Sequence, residues 1–437
     1  MPRLPALSAA VRRALVPLLR AGGPFLRHAG GGVAVLFGIT VVPLILFAGA
    51  ALDYTRASDA RTILQVAADA AALSAVTQAA LVLTPKQAES QAVSVFNARA
   101  ATVKFAGNVD VTVKVKENKT VRTAAVSFTA DVPTTLMRLA GWTTVPIAGD
   151  AKSASPPPTY MDFHLLLDNT PSMGVGATPA DIATMVANTP DKCAFACHDV
   201  SAAGKDYYAL AKKLGVQMRI DVVRSATQQL MDTATATAMV PGQFRAGIHT
   251  FGALCSGLGV TTLSGLTSNL AGVKTSAAAI DLMSVPFQNY NNDQCTDFDG
   301  ALTTMNTLVA PSGDGSTSAA PQKIVFFVSD GVADAFYPST CTKPTTGGRC
   351  QEPISQAGCT ALKDRGVKIA VLYTTYLPLP TNGWYNQWIA PFASQIPTQM
   401  QSCASPGLYF EVSPSQGISD AMAALFQRAV AQARLSE

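Results

Sequence analysis

The sequence predicts an α/β protein: an N-terminal transmembrane helix and helical stalk with a small α+β domain, then a doubly wound, mostly parallel domain. Three observations carry this reading. Val33 to Leu52 is a run of 20 residues without a charge. A triple proline, Pro156-Pro157-Pro158, interrupts the chain, and no helix or strand ladder continues through it. Beyond the prolines, short apolar runs alternate with helix-length segments, the pattern of a parallel sheet with helices on both faces. At 437 residues the chain is long enough for two or three folded units.

The apolar run comes first. At about 1.5 Å of rise per residue it spans about 30 Å, the thickness of a bilayer's hydrocarbon core. Pro43 lies inside it, which a membrane helix tolerates better than a soluble one. Arg3, Arg12, Arg13, Arg20 and Arg27 precede the run with no acidic residue, whereas Asp53, Arg56, Asp59 and Arg61 after it balance. The positive-inside rule then makes 1–29 a basic cytoplasmic N-terminus and 30–52 a single membrane span, with the rest exported. The competing reading is a cleaved signal peptide, since Ala48-Gly49-Ala50 has small residues at cleavage spacing. The run exceeds the usual apolar length of such a signal, and the helical pattern continues through the cleavage point, which favours an anchor.

Residues 53–155 read as a stalk helix and a small α+β domain. Asp53 to Leu83 lacks Gly and Pro, and Ile63, Val66, Ala70, Leu73 and Val76 recur on one helical face. A second helix, about Pro85 to Ala101, begins with proline in its first turn. Val109 to Val115 alternates as a strand does, and Ala124 to Val132 is also strand-like.

Residues 160–437 carry the α/β alternation. Phe163–Asp168, Phe244–Gly252, Lys323–Ser329, Val367–Thr375 and Leu408–Val412 read as strands. Tyr207–Thr237, Phe298–Val309, Gln356–Arg365 and Ile418–Leu435 read as helices. Residues 174–206, 311–322 and 338–355 are expected to be loop insertions.

Composition narrows the class. Charged residues are only 14% of the chain, against about 25% in a typical globular domain, which fits a part outside water. A net charge of +4, with no basic run interleaved with aromatics, argues against nucleic acid as a partner. All eight cysteines follow residue 192: Cys193, Cys197, Cys255, Cys295, Cys341, Cys350, Cys359 and Cys403. An even count confined to one region suggests disulfides in an oxidising compartment, in agreement with export. Cys193-x3-Cys197 lies close enough to bridge. A Cys255–Cys295 bond would brace the loop before Thr296, leaving Cys341 with Cys350 and Cys359 with Cys403 as the remaining suggestions. Eight cysteines allow 105 arrangements, so spacing alone fixes none. A zinc site at Cys193, Cys197 and His198 lacks a Cys/His pair to complete it.

Three polar clusters fall at the expected carboxyl edge of the sheet, where open α/β sheets bind ligands. They are Asp168-Asn169-Thr170-Pro171-Ser172, Cys295-Thr296-Asp297 and Ser329-Asp330-Gly331. Two carboxylates and three hydroxyls are hard oxygen donors suited to Mg²⁺, Ca²⁺ or Mn²⁺. Neutral hydroxyl ligands leave such an ion able to accept an anionic group from a partner. Each cluster alone is also an ordinary cap or turn; their order along the chain is what singles them out. Asp297 and Asp299 are either further ligands or a solvated helix N-terminus.

In this order the clusters resemble the metal-ion-dependent adhesion site of von Willebrand A domains. The resemblance assigns Asp168, Thr170, Ser172, Thr296 and Asp330 to its five positions, with Thr170 where that family usually has serine. It implies a divalent ion, Mg²⁺ first. The N-terminal segments Gly32-Val-Ala-Val-Leu-Phe, Ala50-Ala-Leu-Asp-Tyr-Thr-Arg and Leu64-Gln-Val-Ala-Ala-Asp-Ala-Ala-Ala-Leu resemble TadE/TadG-like pilus-assembly proteins. Linked to an A domain, the arrangement is similar to the TadG kind. It implies a bacterial inner-membrane protein that assembles or anchors Flp-type pili, with its C-terminal domain periplasmic or presented outside. Pilin-like relatives carry a glutamate early in the apolar segment, and none lies between Gly30 and Leu52.

The expected function is capture of a protein partner, a pilus or envelope component, through the ion. The alternative is a periplasmic scaffold that self-associates through the stalk, with the ion only structural. His164 and His249 fall in strands, His28 lies before the span and His198 stands beside the first cysteine pair. With no nucleophile elbow or phosphate loop beside them, catalysis is not expected. A metal-dependent hydrolase lacks a candidate general base.

Overall fold

The computed structural model describes residues 31–103, 106–118, 121–195, 198–287, 290, 294–335, 340–376, 378–379, 382–412 and 417–435. The basic segment 1–29 and Cys197 therefore lie outside the described residues. The chain divides into two compact units, one ending at Ser155 and the other resuming at Pro156.

In the first unit, α1 (Gly31–Ser74) is one helix of 44 residues with Pro43 inside it. It is long and apolar enough to cross a membrane, by length and composition. Beyond the apolar run the helix is not a bare stalk. Ala57, Ala60, Leu64, Ala67, Ala68, Ala71 and Ala75 are buried in the core of this unit. The face marked by Ile63, Val66, Ala70, Leu73 and Val76 is not the inner one: Ile63, Val66 and Leu73 are 39%, 52% and 60% exposed, Ala70 is half-buried, and Val76 at its end is buried. Alanine wins the inner face because a methyl group lets the helix axis approach a sheet closely. Periodicity identified a face without saying which face turns inward.

Helix α2 (Pro85–Ala100) opens with a capping box between Thr84 and Gln87 and buries Ala88, Ala92 and Phe96. Strands β1 (Gly107–Glu117), β2 (Arg122–Pro133) and β3 (Thr144–Ser155) form an antiparallel meander. Strand β3 was not anticipated, because Ile147 and Ala151 are its only fully buried apolar side chains and Pro146 and Gly149 blur its alternation.

The second unit is built on a six-stranded sheet. Its strands are β4 (Met161–Leu167), β5 (Phe244–Thr250), β6 (Thr261–Thr267), β7 (Gln322–Ser329), β10 (Lys368–Thr374) and β11 (Tyr409–Val412). The order is β11-β10-β7-β4-β5-β6. Every pairing is parallel except β5 with β6. All residues of β4 and β7 are buried, as expected of strands covered on both faces. One face packs against α5 (Arg219–Thr237), α6 (Leu270–Ser276) and α10 (Ile418–Leu435). The other packs against α7 (Phe298–Leu308), α8 (Ala357–Lys363) and α9 (Ile396–Cys403). This is a doubly wound, mostly parallel α/β architecture.

Several local details depart from the sequence reading. The helix expected over Tyr207–Thr237 is two, because Gly215 adopts φ 69° and ends α4 (Tyr207–Leu214). The stretch 174–206 contains α3 (Pro179–Asn188), and 338–355 contains strand β9 (Cys350–Pro353), antiparallel to β8 (Val332–Ala335). Strand β6 and helices α6 and α9 were also missed. The sequence of β6, Thr-Thr-Leu-Ser-Gly-Leu-Thr, is too polar to stand out, and its place at the sheet edge tolerates that.

The buried titratable groups of β4 and β5 are paired or held neutral. Asp162 on β4 is fully buried and accepts from Arg245 at 2.7 and 2.8 Å and from Lys323 at 2.5 Å. His164 and His249, on neighbouring strands, stack with ring centroids 5.8 Å apart. Burial pushes each imidazole down to about 4 from its ordinary 6.5. Both are therefore neutral in the folded state, while the unfolded chain binds protons below about pH 6.5. Their contribution is complete above that value and is lost progressively as pH falls toward 4. Between about pH 7.5 and about pH 5 this contribution lowers the melting temperature as pH falls, against the opposite pull of the raised Asp168 and Asp330 carboxylates. His164→Phe should make the slope less downward than in the unsubstituted chain. An equal slope in that variant would remove this pair as its source.

Candidate metal centre

The carboxyl ends of β4 and β7 bring two of the three polar clusters together. Asp168 directly follows β4, Ser329 ends β7 and Asp330 directly follows it. Asp168 is fully buried. One carboxylate oxygen accepts from the Thr170 hydroxyl at 2.7 Å and the Thr170 amide at 3.0 Å, and the other from the Ser329 hydroxyl at 2.6 Å. The Thr170 and Ser172 hydroxyls are 3.3 Å apart, and Ser172 also hydrogen-bonds Asp330. Gly331 completes the turn at φ 78°, where any side chain would meet Ile396 and Met400. Asn169 braces the neighbouring loop, donating to the Gly252 carbonyl at 2.7 Å and accepting from the Phe251 amide at 3.1 Å.

Thr296 arrives by a different route. Its backbone pairs with Asp334 of β8 through two hydrogen bonds of 2.9 and 3.0 Å. That pairing brings Thr296 into the wall of the cleft lined by Ser172. A Cys255–Cys295 bridge fixes the residue just before it. Asp297 caps α7 through the Gly300 amide at 2.8 Å, and Asp299 accepts from Ser355; both are occupied in structural roles. The other bridges are Cys341–Cys350, which closes the turn carrying Arg349, and Cys359–Cys403, which ties α8 to α9. Cys193 is half-buried and bonded to no other cysteine among the described residues, while the residue suggested as its partner, Cys197, lies outside them.

The electrostatics suit a cation. Burial and the Asp330 carboxylate push Asp168 up to about 7. Burial likewise pushes Asp330 up, against the pull of Arg219. Two carboxylates raised by burial, one of them also by its neighbour, are relieved by a positive charge beside them, and the Thr170 and Ser172 hydroxyls supply further oxygen donors. The donor set fits a hard divalent ion.

Sequence reasoning missed Arg219. It begins α5, is 1% exposed, and reaches Asp330 at 3.3 Å and the Thr375 carbonyl at 3.4 Å. Its Nε has no partner among the described residues. Nothing local marks it, since an arginine at a helix start reads as a solvated charge; only the fold carries it under the sheet edge. The guanidinium offsets part of the buried negative charge and holds the Asp330 carboxylate from behind.

Beside the centre lies a cleft of about 590 Å³. Ser172 and Thr296 stand in its wall with Leu379, Tyr376, Trp384 and Tyr385. Tyr376 and Tyr385 stack at 6.0 Å, and Arg349, paired to Asp334, lies 4.6 Å from the Trp384 ring. These aromatic residues come from a segment the sequence reading left without a role.

Residues 31–80 match the family described as "Tad: Putative Flp pilus-assembly TadE/G-like". No curated protein matches the chain. Among solved structures, the chain is similar to the vWF domain of the type V pili tip protein Mfa5 from Porphyromonas gingivalis. Identity is 12% and the TM-score 0.36, over 64% of this chain and 96% of that one. It is also similar to the pilus adhesin SpaC from Lactobacillus rhamnosus GG, at 11% identity and a TM-score of 0.35. That match covers 75% of this chain and 34% of SpaC, so the chain spans about a third of that protein's length.

Proposed function

We propose that this chain, whose residues 31–80 are of the TadE/G-like pilus-assembly kind, is an envelope component that captures a protein partner through a divalent ion. Asp168, Thr170, Ser172, Thr296 and Asp330 hold the ion, Mg²⁺ in preference to Ca²⁺ or Mn²⁺. The observation that carries this reading is the meeting of two fully buried carboxylates with two hydroxyls at the mouth of an open aromatic cleft. An ion held there keeps a position for an acidic side chain of the partner, and the cleft receives the neighbouring side chains. The protein acts as a binding module and not as a catalyst. α1 anchors it in the bacterial inner membrane, with the arginine-rich N-terminus cytoplasmic and both folded units outside; the three bridges described fit an oxidising compartment.

The test uses the full chain in detergent or nanodiscs, incubated with pilus-bearing envelope fractions. Capture should require Mg²⁺ and reverse on chelation. Retention unchanged by chelator would remove the ion from the mechanism.

A second reading is favoured by the exposed stripe of Ile63, Val66 and Leu73. In it, α1 associates with copies of itself and the ion only stabilises the fold. Cross-linking that persists in chelator and disappears in Ile63→Ser/Val66→Ser/Leu73→Ser supports this reading over the first.

A further inference from the structure

We infer that the tip of the β2–β3 hairpin, residues 134–143, is a second membrane contact that inserts into the lipid interface beside the emerging helix. The inference rests on the reading of α1 as a membrane span.

The tip is held at a defined height on α1. The Asp53 carboxylate accepts from the amides of Thr135, Leu136 and Met137 at 2.8, 3.0 and 2.9 Å. Arg56, three residues further along the helix, donates to the Thr135 hydroxyl. Leu136 sits so close to Gly49 that a side chain there would collide with it. Gly49 lies inside the uncharged run that ends at Leu52, about 4–6 Å below its end at 1.5 Å per residue. The loop is therefore clamped at the level where hydrocarbon gives way to headgroups, the depth that interfacial elements occupy.

Its surface matches that depth. Leu139 is 74% exposed and Trp142 64% exposed, the largest apolar exposures of the hairpin. A tryptophan at a membrane–water boundary places its ring in the apolar layer and its N–H among headgroups. Arg138 is exposed beside them, and no acidic residue lies between Pro133 and Thr144. The long Arg138 stem lets the guanidinium reach the headgroup layer while Leu139 and Trp142 lie below it. The tip is also rigid. Gly141 turns at φ 91°, its amide donates to the Arg138 carbonyl at 3.1 Å, and the Trp142 amide donates to the Met137 carbonyl at 3.2 Å. Apolar side chains on a braced loop, continuous with an apolar helix, are best covered by the bilayer that covers the helix.

The experiment uses the full chain, one copy per nanodisc, with Trp384→Phe and Trp388→Phe so that Trp142 alone emits. Lipids brominated near the headgroup end of the acyl chain should quench Trp142 and those brominated at the bilayer centre should not, with emission shifted to the blue. A companion chain carrying Leu44→Trp with Trp142→Phe reports on the span and should be quenched from the centre. Failure of the companion overturns the anchor itself. A quenched companion with Trp142 unquenched and open to aqueous acrylamide overturns the loop insertion alone. Trp142 unquenched by lipid yet shielded from acrylamide indicates a protein cover and also overturns it. Hydroxyl-radical footprinting of the unsubstituted chain in the same discs should show Met137, Leu139 and Trp142 protected, independently of any substitution.

Discussion

Asp168→Asn should weaken Mg²⁺ binding by more than the roughly 10–100-fold that follows loss of an outer-shell partner, because it removes a ligand-bearing charge itself. The apo domain should remain folded. Asparagine still accepts a hydrogen bond from the Ser329 or Thr170 hydroxyl, and the substitution removes the like charge facing Asp330. Asp330→Ala is a different experiment. It also abolishes ion binding, but it leaves the Arg219 guanidinium, 1% exposed, without its carboxylate. A buried charge stripped of its partner costs about 3–5 kcal/mol, a large share of a domain's stability. Titration calorimetry with Mg²⁺ and urea unfolding separate the two outcomes. Equal stability of both variants would mean that Arg219 does not depend on Asp330. Asp330→Asn should fall between them.

The second large effect concerns the bridges. Cys359–Cys403 and Cys255–Cys295 close loops of 44 and 40 residues, and Cys341–Cys350 one of 9. The chain-entropy relation gives about 4 kcal/mol for each long loop and about 2.5 kcal/mol for the short one. Cys359→Ser/Cys403→Ser should therefore lower the urea midpoint more than Cys341→Ser/Cys350→Ser. The ranking is the check, since absolute values vary with strain and residual structure in the unfolded chain. Loss of Cys255–Cys295 should in addition reduce ion affinity, because the bridge holds the residue before Thr296. Full Mg²⁺ affinity in Cys255→Ser/Cys295→Ser would show that β8 pairing alone positions Thr296.

Much of the fold was written in local pattern. The continuous apolar strands Phe163–Asp168 and Lys323–Ser329 declared a doubly covered sheet, and their polar ends marked the edge where the candidate centre forms. The rest depends on relations that no window of sequence contains. Ile63, Val66 and Leu73 have the right spacing for a packed face, yet alanine takes that face because distance to the sheet decides it. The strand Thr261–Thr267 survives at the sheet edge with little apolar content because β5 supplies its pairing. Arg219 stands 111 residues from the carboxylate it meets, and Trp384 and Tyr385 of the aromatic wall follow the last motif by more than fifty residues. Each becomes legible only when the sheet order is known.

The unbroken course of α1 has a mechanical meaning. From Asp53 to Ser74 it contains neither glycine nor proline, and its alanine side is cemented to the meander along several turns. Traction or torque applied to that small domain is therefore delivered along one stiff rod as far as Asp53, where the apolar run takes over.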